Sequence, residues 1–186
     1  MSWPTRDEAL SLLREYTENE NLIKHALAVE ACMFDYAKRF GEPPEKWAVT
    51  GLLHDFDYEK YPSMEDHPFR GVGILRRKGY PESMIHAILA HGDHTHVKRE
   101  NLLDKTLYAV DELTGFVVAV ALVRPSKKIR DVKVKSVKKK WKDKSFARGV
   151  DRECIERGAR DLGIGLDHHI QNVLDSMKRI STELGL

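Results

Sequence analysis

The stretch from residue 101 to 123 constrains this 186-residue chain most. Leu103, Leu107, Val110, Thr114, Val117 and Ala121 recur at helical spacing, which predicts the most apolar helix of the chain. Asp111 sits one turn beyond Leu107, on or beside that inward face. A buried carboxylate costs several kcal/mol unless it is paired, hydrogen-bonded or bound to a cation. Candidate partners stand upstream. His25 precedes the doublet His54-Asp55, and His67 and His91 lie between the doublet and Asp111. Imidazole nitrogens and carboxylate oxygens together suit a divalent transition metal such as Mn, Fe, Co or Zn.

Each of these residues falls in or beside a segment that reads as helix, so the metal is expected between the helices of a bundle. Thr5 with Glu8 predicts a capping box at the start of a first helix. Leu22, Ala26, Val29, Met33, Ala37 and Phe40 form the buried stripe of a second, over residues 19–40, with His25 beside it. Gly41 and Pro43-Pro44 stop it, and a short helix from about Glu45 delivers His54-Asp55 at its end. Residues 56–66 read as a loop. His67-Pro68 opens a helix to about Lys78, Pro81 another to His91, and residues 91–96 read as irregular. Beyond Pro125, Asp131 is expected to cap a basic helix with an apolar edge of Val134, Val137 and Trp141. Helices over about 151–162 and 167–184 complete the chain. Arg148, Arg152, His168 and His169 are read there as exposed. No convincing strand pair is present, so the class is all-α.

The composition, 41% hydrophobic and 32% charged, is ordinary for a soluble globular protein. A single domain over residues 1–186 is expected, with a metal-binding core over about 19–123 and an extension over 124–186. No run of about 18 apolar residues occurs, and the N-terminus lacks the pattern of a secretory signal. Cys32 and Cys154 form no CxxC pair. A cytoplasmic location without membrane partners is the simplest expectation. Net charge is +2, yet residues 124–144 hold eleven Lys/Arg against two Asp. The basic character is therefore concentrated in one segment.

The spacing of His25, His54-Asp55 and Asp111 resembles the HD superfamily of metal-dependent phosphohydrolases. The segments HALAVE, GLLHDFDYEKYP and HPFRGVGILRRKGYPESMIHAILAHGDH carry the same likeness. It spans about half of the chain and is greatest to the bacterial branch described only as predicted HD hydrolases. The resemblance implies an HD-domain helical bundle with additional C-terminal helices. It also implies a centre of two divalent ions, Mn or Fe foremost, with Co, Ni, Zn and Mg also compatible. Asp55 would bridge them, with His25, His54 and Asp111 on one ion and His67 and His91 on the other. His94 would be a candidate sixth ligand. The GYP at residues 79–81 lacks the companion residues of HD proteins that cleave cyclic di-GMP, so it reads as a helix stop and start.

The implied activity is hydrolysis of a small phosphorylated molecule, a phosphomonoester or phosphoanhydride and foremost a nucleotide, by a metal-activated water. Asp55 is the central catalytic candidate. Asp57 and Glu59 are candidates for a general acid or for support of the ligands. Arg124, Lys127 and Lys128, with Arg130, follow the Asp111 helix and are candidates to return over the site and hold the substrate phosphate. The same run has a bland reading, as a solvated basic face. Nucleic acid is not expected as a partner, since only Trp141 and Phe146 accompany the basic residues. Two other functions fit the same fold: a di-iron oxygenase, and a non-catalytic module that binds a nucleotide or a partner. Oligomeric state is left open.

Overall fold

A computed structural model describes residues 2–186, so Met1 lies outside the described residues. The chain folds into helices α1 (Arg6–Tyr16), α2 (Glu20–Phe40), α3 (Pro44–Leu53), α4 (Phe69–Arg77), α5 (Glu82–Ala90), α6 (Leu102–Leu122), α7 (Val134–Trp141), α8 (Arg152–Asp161), α9 (Leu166–Arg179) and α10 (Ser181–Leu184). Short 3-10 turns cover Asp93–Thr95 and Ile129–Asp131, and no strand occurs among the described residues. The class is all-α, as the periodicity predicts.

Local chemistry sets the helix ends. The Thr5 hydroxyl accepts the Glu8 N–H at 3.2 Å while Glu8 Oε2 accepts the Thr5 N–H at 2.7 Å, which closes a capping box on α1. Asn19 caps α2 and Asn101 caps α6. Gly41 ends α2 in the left-handed conformation, at φ 72°.

Two long helices form the spine. α6 packs against α2, α5, α7, α8 and α9, and α2 packs against α3, α6, α9 and α10. The core runs from Ala9 in α1 to Leu184 in α10, with Met33, Leu53, Ile85, Leu107, Phe116 and Val173 all fully buried. α3 lies unusually close to α2. A Cβ at Gly51 would stand 2.8 Å from Met33 Cγ and 3.1 Å from the Val29 carbonyl, so a larger residue would push the end of α3 away from α2. This close approach brings His54-Asp55 beside His25.

Three expectations in the C-terminal third are corrected. Lys133, not Asp131, is the residue before α7; Asp131 is held in the 3-10 turn, which buried Ile129 and Val132 pin to the core. The last helix breaks at Ile180, whose backbone (φ −107°, ψ 24°) leaves the helical region, giving α9 and the short α10. His169 and Arg152 are structural rather than exposed. His169 is fully buried and bonded by one ring nitrogen to the Tyr36 hydroxyl (2.6 Å) and by the other to the Ala109 carbonyl (2.7 Å). Arg152 is taken up by backbone carbonyls, as described below.

Candidate metal centre

Five elements converge on one point. α2 supplies His25, the end of α3 supplies His54 and Asp55, and the chain before α4 supplies His67. The end of α5 supplies His91, and mid-α6 supplies Asp111. Their donor atoms form two groups that share one residue. The first is His25, His54, Asp55 and Asp111; the second is Asp55, His67 and His91. His25 Nε2 stands 3.0 Å from Asp111 Oδ1, and His54 Nε2 stands 3.3 Å from Asp55 Oδ2. On the other side of Asp55, His67 Nε2 and His91 Nε2 each stand 3.2 Å from Oδ1. Donors bonded at about 2.1 Å to one ion lie about 3 Å apart, so these separations suit a shared cation.

The imidazoles are oriented from behind. His54 Nδ1–H donates to the Gly51 carbonyl at 2.8 Å, His91 Nδ1–H to the Ile88 carbonyl at 2.5 Å, and His67 Nδ1–H to Asp57 Oδ1 at 2.8 Å. Thr114 donates its hydroxyl to the Asp111 carbonyl at 2.7 Å, so its lone pair is free for His25 Nδ1–H at 3.3 Å. Each ring thus carries its proton on Nδ1 and aims the Nε2 lone pair at the cluster, the arrangement metal-binding histidines use. Asp55 Oδ1 is buried with no hydrogen-bond partner among the described residues. Its neighbours at 3.2 Å are His67 Nε2 and His91 Nε2, and either their N–H groups, when the rings are protonated, or a shared cation satisfies it.

Without an ion the electrostatics favour protonated rings at His54 and His67, so a bound cation would displace their Nε2 protons. Burial alone would depress His54 and raise Asp55 and Asp111, but their mutual attraction prevails. His54 is held well above its ordinary value and both carboxyls well below theirs. Burial likewise opposes protonation of His67, and its bonds to Asp55 and Asp57 outweigh that, placing it at about 9. The side chains of Asp55, His25 and Asp111 remain 23%, 22% and 20% exposed, so the cluster opens to solvent on this side.

The other candidates fall elsewhere. Asp57 is fully buried behind His67, with Oδ2 accepting the Gly71 N–H at 2.7 Å. It buttresses His67 from the buried side of the cluster. Glu59 Oε2 accepts the backbone N–H groups of Glu18 and Asn19, at 2.9 and 3.0 Å, which fixes the turn into α2. His94 Nε2 points at the His67 carbonyl, 2.9 Å away, so it braces His67 from outside the donor groups. Arg124 lies thirteen residues past Asp111, about 20 Å along the helix axis, with Nη1 on Ser136 Oγ at 3.3 Å. Lys127 and Lys128 follow it beyond the end of α6, and both are exposed.

Sequence reasoning missed two residues. Thr114, one turn after Asp111 on the same stripe, was read as packing alone. Glu112, beside Asp111, is half-buried; burial first and the Asp111 charge next raise it to about 7, and its Oε2 accepts the Asp151 N–H at 3.3 Å.

A cluster of this kind between bundled helices could hold divalent metal, in two donor groups that share Asp55. The HD domain family matches residues 22–115, just over half of the chain, and the chain belongs to that family. The family is one of metal-dependent hydrolases. No solved structure matches the chain at a significant level.

Proposed function

We propose that this protein is a metal-dependent phosphohydrolase that acts on a phosphomonoester or phosphoanhydride, foremost of a nucleotide. The observation that carries the reading is the sharing of Asp55 between two donor groups, Oδ2 toward His54 and Oδ1 toward His67 and His91. Two bound divalent ions would supply hydroxide near neutral pH and neutralise charge on the phosphoryl oxygens. The chain's own residues do the rest. His25, His54 and Asp111 would hold one ion, His67 and His91 the other, and Asp55 would bridge them. Gly51, Ile88, Asp57 and Thr114 keep the four imidazoles aimed. The exposed edges of His25, Asp55 and Asp111 leave one open side for a phosphoryl group to enter. Hydrolysis and the nucleotide class rest on the family's chemistry together with this arrangement.

The first test is metal content per chain, by elemental mass spectrometry on protein purified without chelator or affinity histidines, followed by a phosphoester screen under each bound metal. Close to two Mn or Fe ions, with metal-dependent release of phosphate, is the expected result. One ion or fewer after back-titration would end the two-ion reading. Absence of turnover on nucleotides, sugar phosphates and pyrophosphate under every metal would end the phosphohydrolase reading.

A further inference from the structure

The centre described so far contains no lysine or arginine to meet the anionic remainder of a phosphorylated substrate, and the register of α8 on α6 shows which part of the basic run approaches its level. The two helices run antiparallel at close range. A Cβ on Gly158 would fall 2.6 Å from Ala109 Cα, and the Asp151 N–H, at the start of α8, meets Glu112. The chain entering α8 therefore arrives at the level of Asp111. That entering chain is the end of the basic run, the loop over residues 142–150.

The loop is held in one shape. Arg152 donates to the carbonyls of Trp141 (3.1 Å), Asp143 (3.0 Å), Phe146 (2.6 Å) and Val150 (3.4 Å), and its guanidinium lies 4.9 Å over the Phe116 ring. Phe146 packs edge-on against Phe116 at 5.5 Å, and Ala147 turns the chain at φ 46°. The acidic groups of the loop are spent on backbone: Asp143 accepts the Ser145 N–H, and Asp151 accepts the N–H groups of Glu153 and Cys154. Lys142, Lys144 and Arg148 are exposed and have no ion-pair partner among the described residues. A preformed turn that leaves its cations free and leads into Asp151, which meets the neighbour of Asp111, suits a phosphate group.

We propose that the 142–150 loop is the anion-binding lip of the metal centre, with Lys144 and Arg148 holding the charged part of the substrate that does not meet the metals. Arg152 acts through the loop, as a positioning residue. The substrate part of this proposal rests on the phosphohydrolase reading; the site for a phosphate anion does not.

The test compares Mn-loaded wild type with Lys144→Ala/Arg148→Ala, and with Lys127→Ala/Lys128→Ala as a control of equal charge loss at the far end of α6. Inorganic pyrophosphate binding is followed by calorimetry at fixed ionic strength. The lip variant is expected to bind about tenfold or more weakly, with metal content and Tm unchanged, and the control to stay within about twofold. On any substrate the wild type hydrolyses, the lip variant should raise KM with kcat within about threefold. Arg152→Lys, which keeps charge but cannot span the carbonyls, should raise KM in the same manner. Equal pyrophosphate affinity in the lip variant and wild type would overturn the proposal. Equal weakening in the control, or no binding to wild type, would do the same. A wild type that binds pyrophosphate but hydrolyses no phosphoester would refute the function and leave the lip standing.

Discussion

At the residue scale, Asp55 is the hinge of the centre, because each of its oxygens faces a different set of imidazoles. Asp55→Ala is expected to abolish binding of both ions, whereas His67→Ala should leave about one per chain; elemental analysis separates them. Asp57→Asn keeps the shape but weakens the bond that orients His67. Metal affinity should fall about 10- to 100-fold, read by competition with a fluorescent chelator; unchanged affinity would remove Asp57 from the centre's support. His169 supplies a pH prediction away from the metals. Burial holds it down at about 4, against 6.5 when free. Between these values the unfolded chain binds the extra proton, so the stabilisation present above about pH 6.5 is lost as pH falls toward 4. The loss amounts to about 3 kcal/mol, and it should vanish in His169→Asn, by denaturant titrations at pH 7 and 4.5. The metal-cluster residues were legible because each is a polar residue on or at the end of an apolar stripe. His169 was misread, although it stands one turn before Val173 on the stripe of Ile170, Val173 and Met177.

At the scale of elements, periodicity located the helices well and their connections poorly. α1 to α6 start and stop close to where caps, glycines and prolines place them. The path after Pro125 is set by burial of Ile129, Val132 and Val137, three single apolar residues in a basic run. No periodic signal states which way such a segment turns. Arg124 lies past the end of α6 and bonds Ser136, while Asp151, after the basic run, reaches Glu112. The seam between α6 and α8 is the element-level feature most open to test. Gly158→Leu has no room against Ala109, and overpacking of this kind costs about 1–3 kcal/mol. A fall in Tm is expected; an unchanged Tm would show that α8 does not depend on this close approach.

At the scale of the molecule, the centre ties five elements together, so bound metal should contribute to stability. Free Mn at a hundredfold excess over Kd adds about 2.7 kcal/mol for one site. Tm is expected to rise with Mn and fall with chelator in wild type, and to respond to neither in Asp55→Ala. A response retained in that variant would place the ions elsewhere. No described helix is long and apolar enough to cross a membrane. The all-helical class and the HD family were legible from the sequence, because both depend on local spacing. The brace of Thr114 behind His25 and the carbonyl cage of Arg152 were not, since each joins residues that only the tertiary packing brings together.

The family-matching residues end at position 115, partway along α6, which runs on to Leu122. The boundary that kinship draws is thus not one the polypeptide would recognise. A fragment trimmed to it would stop in mid-helix, lacking Phe116 and Val117 from the core and leaving Ala109 bare where Gly158 now rests. Such a trimmed chain should come out of expression as an aggregate, however complete its set of metal-binding side chains.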